Sequence, residues 1–123
     1  MANYLKEGDI SLSVQERQYL FQCRVNDIDL RAHRTWKYKE TFCISCEDTN
    51  KIENISHILE CTTLLNLNEK MTYLPTTQDL YSDDISDQIY TSNMIRENMH
   101  IREELKEQRR LAHVNWQFVM FYL

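Results

Sequence analysis

Three of the four cysteines and one of the four histidines fall in the spacing Cys43-x2-Cys46-x10-His57-x3-Cys61. Of all the residues in the sequence these are best suited to chemistry, and the chemistry is metal binding. Two cysteines separated by two residues can wrap a tight turn round one ion, with both thiolates about 2.3 Å from zinc. His57 and Cys61 are four apart, so on a helix they leave the same face one turn above each other. The stretch between Cys46 and His57 is long enough to turn the chain and deliver that helix face to the turn. Four such ligands close a tetrahedral shell and leave no position for a reactive water, which points to a structural Zn2+ and away from catalysis. A disulfide between Cys43 and Cys46 is the competing reading. Cys23 lies outside the pattern and reads as a small buried hydrophobe.

The elements that position these ligands are expected to be helical. The chain has 123 residues, one Gly and one Pro, too few turn formers for a sandwich or barrel. Its length suits one core, and Glu, Lys, Arg, Gln, Leu and Met favour helix. The expected fold is therefore mainly α, a small helical domain organised around one CCHC zinc site with a long C-terminal helix. Residues 1–12 read as a flexible arm, 13–110 as the zinc-stabilised domain, and 111–123 as an apolar tail that is a strand, a packed tail or an appendage.

Within the domain, Ser13 and Glu16 form a capping-box pattern. The stripe Val14, Phe21, Val25 and Ile28 predicts a helix over about 14–27 that buries this face. Residues 36–42 hint at a short extended segment. A second helix is expected from Ile52 into the region 64–67, burying Ile55, Ile58 and Leu59. A long helix runs from Asp83 or Asp84 to about Arg110, with Ile85, Ile89, Ile95, Met99 and Leu105 as its stripe.

Charge is unevenly laid out. Residues 13–42 carry six cations against four acids, whereas residues 43–90 carry two cations against nine acids. A basic front on an acidic body can set one face against phosphate. The ligand helix itself offers Glu53, Asn54, Ser56 and Glu60 and no cation, so major-groove base reading by this finger is not expected. The first ten residues hold Lys6, Glu7 and Asp9 and do not read as a signal peptide. No apolar run approaches the roughly 18 residues of a membrane span. An intracellular setting, nuclear or cytoplasmic, with reduced thiols and no membrane contact is the expectation.

Taken in order, Val14-Gln15-Glu16-Arg17-Gln18-Tyr19-Leu20-Phe21-Gln22-Cys23-Arg24, Asp29-Leu30-Arg31-Ala32-His33, Lys37-Tyr38-Lys39, the Cys/His signature with Glu53 before His57-Ile58-Leu59, and Asp79-Leu80-Tyr81-Ser82-Asp83-Asp84 precede a long charged helix. This order resembles the CCHC zinc-binding region downstream of the polymerase domain in non-LTR (LINE-type) retrotransposon endonuclease–reverse transcriptases of animals. The resemblance spans roughly residues 13–110. It implies zinc on Cys43, Cys46, His57 and Cys61, and contact with RNA or DNA through Arg24, Arg31, Arg34, Lys37 and Lys39. Trp36 and Tyr38 would be stacking faces. With no polymerase or endonuclease domain, the chain would be a fragment or a domesticated remnant.

Tyr81-Ser82-Asp83-Asp84 matches the Tyr-x-Asp-Asp pattern of polymerase metal sites, but that chemistry needs a third carboxylate and an apolar hairpin around the pair. The segment reads instead as a helix N-cap. The expected function is thus non-catalytic: a zinc-binding helical module that assists RNA or DNA binding. The alternative is a protein-interaction or structural module that docks through its C-terminal helix or tail, where Trp116, Phe118, Val119 and Phe121 would form a patch.

Overall fold

The computed structural model describes residues 13–122, with side chains as far as Val114. The expected arm therefore lies outside the described residues. Among the described residues, four α-helices and one 3-10 turn make up the regular structure: α1 Val14–Arg24, α2 Ile55–Glu60, α3 Thr62–Leu67, the 3-10 turn Thr77–Tyr81, and α4 Ile85–Tyr122. The fold is mainly α, and among the described residues the only pairing between extended residues is one antiparallel bridge, Phe42 to Ile52.

The start of α1 is local chemistry. Ser13 Oγ accepts the Glu16 N–H at 3.1 Å, and Glu16 Oε1 accepts the Ser13 N–H at 3.2 Å, which closes the capping box. Its end comes earlier than the sequence pattern suggests. Asn26 turns left-handed at φ 59°, with its N–H donating to Cys23 O and the Asp27 N–H to Gln22 O. This is a Schellman termination, and asparagine tolerates the conformation it needs.

The buried face of α1 also differs from the expected stripe. Val14, Phe21 and Val25 are exposed, Phe21 by 64 %, while Leu20 and Cys23 are buried and Tyr19 packs beneath the Arg96 guanidinium at 4.6 Å. An eleven-residue helix has two faces of comparable apolar content, and what it docks against selects one. Here the partners are α4 and the 3-10 turn. Only Ile28, beyond the helix end, is buried as expected.

The single expected helix over residues 52–67 is two helices. Ile52 is held in the bridge to Phe42, so α2 starts after Asn54, whose Oδ1 accepts the His57 N–H at 2.9 Å. Cys61 adopts φ −61°, ψ 118°, ending α2 and starting α3. The expected apolar face is present, with Ile55, Ile58 and Leu59 buried. The segment around Trp36 forms turns and not an extended strand.

The 38 residues of α4 extend for about 57 Å. Asp84 begins it, accepting the Ser86 N–H on Oδ1 at 2.9 Å, in keeping with the expected cap. Of the expected stripe Ile95 is buried, with Ile85, Ile89, Met99 and Leu105 packed around the core. The deepest line of α4 is largely polar: Thr91, Ile95, Asn98 and Arg102 are all fully buried, at helical spacing. Asn98 donates to Ile58 O at 2.9 Å and accepts from Asn68 at 2.7 Å, which ties α2, the end of α3 and α4 together. Over the residues expected as an apolar tail, 111–123, α4 continues unbroken to Tyr122. With no Gly or Pro after Pro75, nothing in that stretch forces a stop.

Candidate metal centre

The two cysteines of the turn sit in a small reversal of the chain. The Cys43 N–H donates to Lys51 O at 2.9 Å and the Glu53 N–H to Thr41 O at 2.8 Å, which zips the base on either side of the Phe42–Ile52 bridge. Between them the Glu47 N–H bonds to Cys43 O at 3.0 Å, closing the turn. Glu47 itself is left-handed, with φ 59°, and this sharp change of direction carries the chain away after Cys46. His57 arrives from α2 and Cys61 from its last turn, the Cys61 N–H still bonded to His57 O.

The four ligand atoms lie within 4.8 Å of one another. Cys43 Sγ and Cys61 Sγ are 3.9 Å apart, and Cys46 Sγ and His57 Nε2 are 3.5 Å apart. A tetrahedral zinc with ordinary bond lengths has edges of about 3.8 Å between thiolates and about 3.5 Å between thiolate and imidazole. These two edges match those of a zinc site, and the cluster could hold a metal ion. Cys43, Cys61 and His57 are buried, and Cys46 is half-buried. All four cysteines are free.

Protons at the cluster are placed by contact and burial. The Cys61 hydrogen bond and burial push the Cys43 thiol far up, while the bond from Cys43 lowers Cys61. Burial raises Cys46 and lowers His57, so His57 offers a neutral nitrogen lone pair at neutral pH. Ion binding must then expel thiol protons, which makes affinity fall as pH falls. Cys23 takes no part: it is buried against α4, and burial pushes its thiol up to about 12.

Behind the ligands lies a polar group that spacing alone did not reveal. Glu53, counted from the sequence only among the non-basic residues of the ligand helix, is fully buried. Its Oε2 accepts the Ile44 N–H at 2.8 Å, and its Oε1 accepts the Arg31 N–H at 3.1 Å. Arg102 of α4, equally buried, donates to Oε1 at 2.7 Å. Further along α4, Arg109 donates to Ile44 O at 2.6 Å and to Ser45 O at 2.8 Å. Glu53, Arg102 and Arg109 are the site residues missed by motif reading. Only the match of an acid at 53 with arginines two turns apart on a later helix hints at them.

The residues expected to meet nucleic acid divide into two groups. Arg24 donates to Leu80 O at 2.7 Å and lies over the Tyr81 ring. Arg31 donates to Phe42 O at 3.3 Å and lies over the Phe42 ring at 4.7 Å. Both are built into the fold. The others share one loop: Arg34 pairs with Asp27 at 2.9 Å, and Lys37 pairs with Asp29 at 2.8 Å. Tyr38 donates its hydroxyl to Asp29 at 2.9 Å. Trp36 is 77 % exposed beside the Arg34 guanidinium, and Lys39 is exposed. No helix among the described residues is long and apolar enough to cross a membrane.

No family model, no curated protein and no solved structure matches this chain.

Proposed function

We propose that this chain is a zinc-binding helical module in which the ion is structural and the protein is not a catalyst. The observation that carries this reading is the set of four ligand atoms within 4.8 Å, three thiols and one imidazole drawn from a turn and a helix. Three thiol ligands favour zinc over harder cations, and four protein ligands leave no open position for a substrate or activated water. Purified protein should carry one zinc per chain. A strong chelator, or Cys46→Ser, should lower helicity and melting temperature together. A metal-free protein whose melt ignores both treatments would overturn the proposal.

The module is further proposed to contact RNA or DNA through the Arg34–Lys39 loop. Trp36 supports this, as a large exposed ring beside the Arg34 guanidinium in a loop that also carries Lys37 and Lys39. Stacking on such a ring contributes about 1–3 kcal/mol per base. Trp36→Ala should therefore weaken binding to a single-stranded RNA by about tenfold or more, and wild-type binding should weaken with rising salt. Ancestry in a non-LTR retrotransposon reverse transcriptase is proposed on motif order alone.

The second reading is a protein-interaction module that docks through α4. Leu111 and Val114 favour it, each about half exposed on a helix that continues to Tyr122. Absence of RNA binding even at low salt would select it over the first.

A further inference from the structure

Ile44 lies between the two cysteines of the metal-binding turn, and its peptide groups are gripped from both sides. Its N–H reaches the buried Glu53 carboxylate at 2.8 Å, and that carboxylate is held by Arg102 at 2.7 Å. Its carbonyl, with that of Ser45, receives the two terminal nitrogens of Arg109 at 2.6 and 2.8 Å. The same guanidinium pairs with Glu47, the left-handed residue after Cys46, at 3.0 Å. Arg102 and Arg109 are seven residues apart, two turns along one face of α4. A forked, planar guanidinium can hold two neighbouring carbonyls in fixed orientation, which a lysine cannot do. With only two residues separating Cys43 from Cys46, the orientation of those peptides decides where both sulfurs point.

We propose that α4 belongs to the metal centre: Arg109 directly, and Arg102 through Glu53, hold the Cys43–Cys46 turn in its ligating shape, so that metal affinity depends on α4 and metal occupancy in turn holds α4 in place. These are positioning residues, since none of them touches the ion. The coupling is reciprocal by necessity, because whatever strengthens metal binding by ordering α4 is matched by metal ordering α4. The inference rests on the cluster being a metal site.

The test is a cobalt(II) titration of the full chain, followed by competition with zinc, on wild type, R109Q, R109K, E53Q and R110Q. Arg110 is the control, because it bonds to Glu107 within the same helix at 2.6 and 3.1 Å. R109Q should bind about tenfold more weakly, the scale of lost support around a ligand set, with an unchanged thiolate–cobalt absorption spectrum. R109K should not restore the affinity, E53Q should also weaken it, and R110Q should match wild type. Hydrogen exchange supplies a second readout: chelation should speed exchange in α4 around residues 98–110 as well as in 41–61. Equal affinity of R109Q, E53Q and wild type, or loss of protection confined to 41–61, would overturn the inference. A wild-type chain that gives no three-thiolate cobalt spectrum would instead overturn the metal site itself. Arg109 is part-exposed, so R109Q is expected to fold. Should it not, R109K and the exchange experiment on wild type decide the question.

Discussion

The Arg31–Lys39 loop and the Arg102–Arg109 stretch of α4 both bring cations close to acids. In the loop, Arg34 meets Asp27 and Lys37 meets Asp29 in pairs open to water, with Asp27 55 % exposed and Lys37 47 %. In α4, Arg102 meets Glu53 with both side chains fully buried. The distances are nearly the same, 2.9 and 2.8 Å against 2.7 Å. Burial separates their consequences. A water-facing pair gains little, because solvent screens it and two long side chains must be ordered. Neither partner of a buried pair can be lost without stranding a charge out of water. The loop can therefore release its cations to another anion at small cost, whereas α4 cannot release Arg102.

That contrast is open to attack. The largest expected effect is from Arg102→Ala, which strands Glu53 and should cost about 3–5 kcal/mol in denaturant unfolding of the metal-loaded protein. A loss below about 1 kcal/mol would show that water reaches the pair and that the two regions are alike. A smaller effect should follow His33, which ties the loop to the start of α2 by accepting the Ile55 N–H on Nε2 at 3.3 Å. Burial, then the nearby Arg34, lowers its pKa below the usual 6.5. Because the unfolded chain takes up the proton more readily, His33 contributes stability above about pH 6.5 that is lost as pH falls through its folded-state pKa. Thermal melts from pH 7 downward should decline less in His33→Gln than in wild type, and parallel declines would refute the role. The smallest effect should come from Arg34→Met, within about 1 kcal/mol in the same unfolding measurement. A larger loss would mean that the loop is as much a part of the core as α4.

The Cys/His cluster was legible in the sequence because its geometry is short-ranged. Two residues between Cys43 and Cys46 make a turn, and the step of four from His57 to Cys61 makes one helical repeat. The Ser13–Glu16 cap is equally local, and the apolar face Ile55, Ile58 and Leu59 follows helical period. The face that α1 buries was not legible, since Phe21 and Leu20 are both apolar and only the docking partner chooses between them.

Local pattern determined where a metal can be held and that helices carry it, because a turn, a cap and a helical repeat each involve residues within about four positions. Tertiary structure alone decided what stands behind the ligands. Glu53 finds Arg102 across 49 residues, and Arg109 finds Ile44 across 65. A buried charge has no sequence signature apart from its partner, because only the packed chain removes the water that would otherwise solvate both.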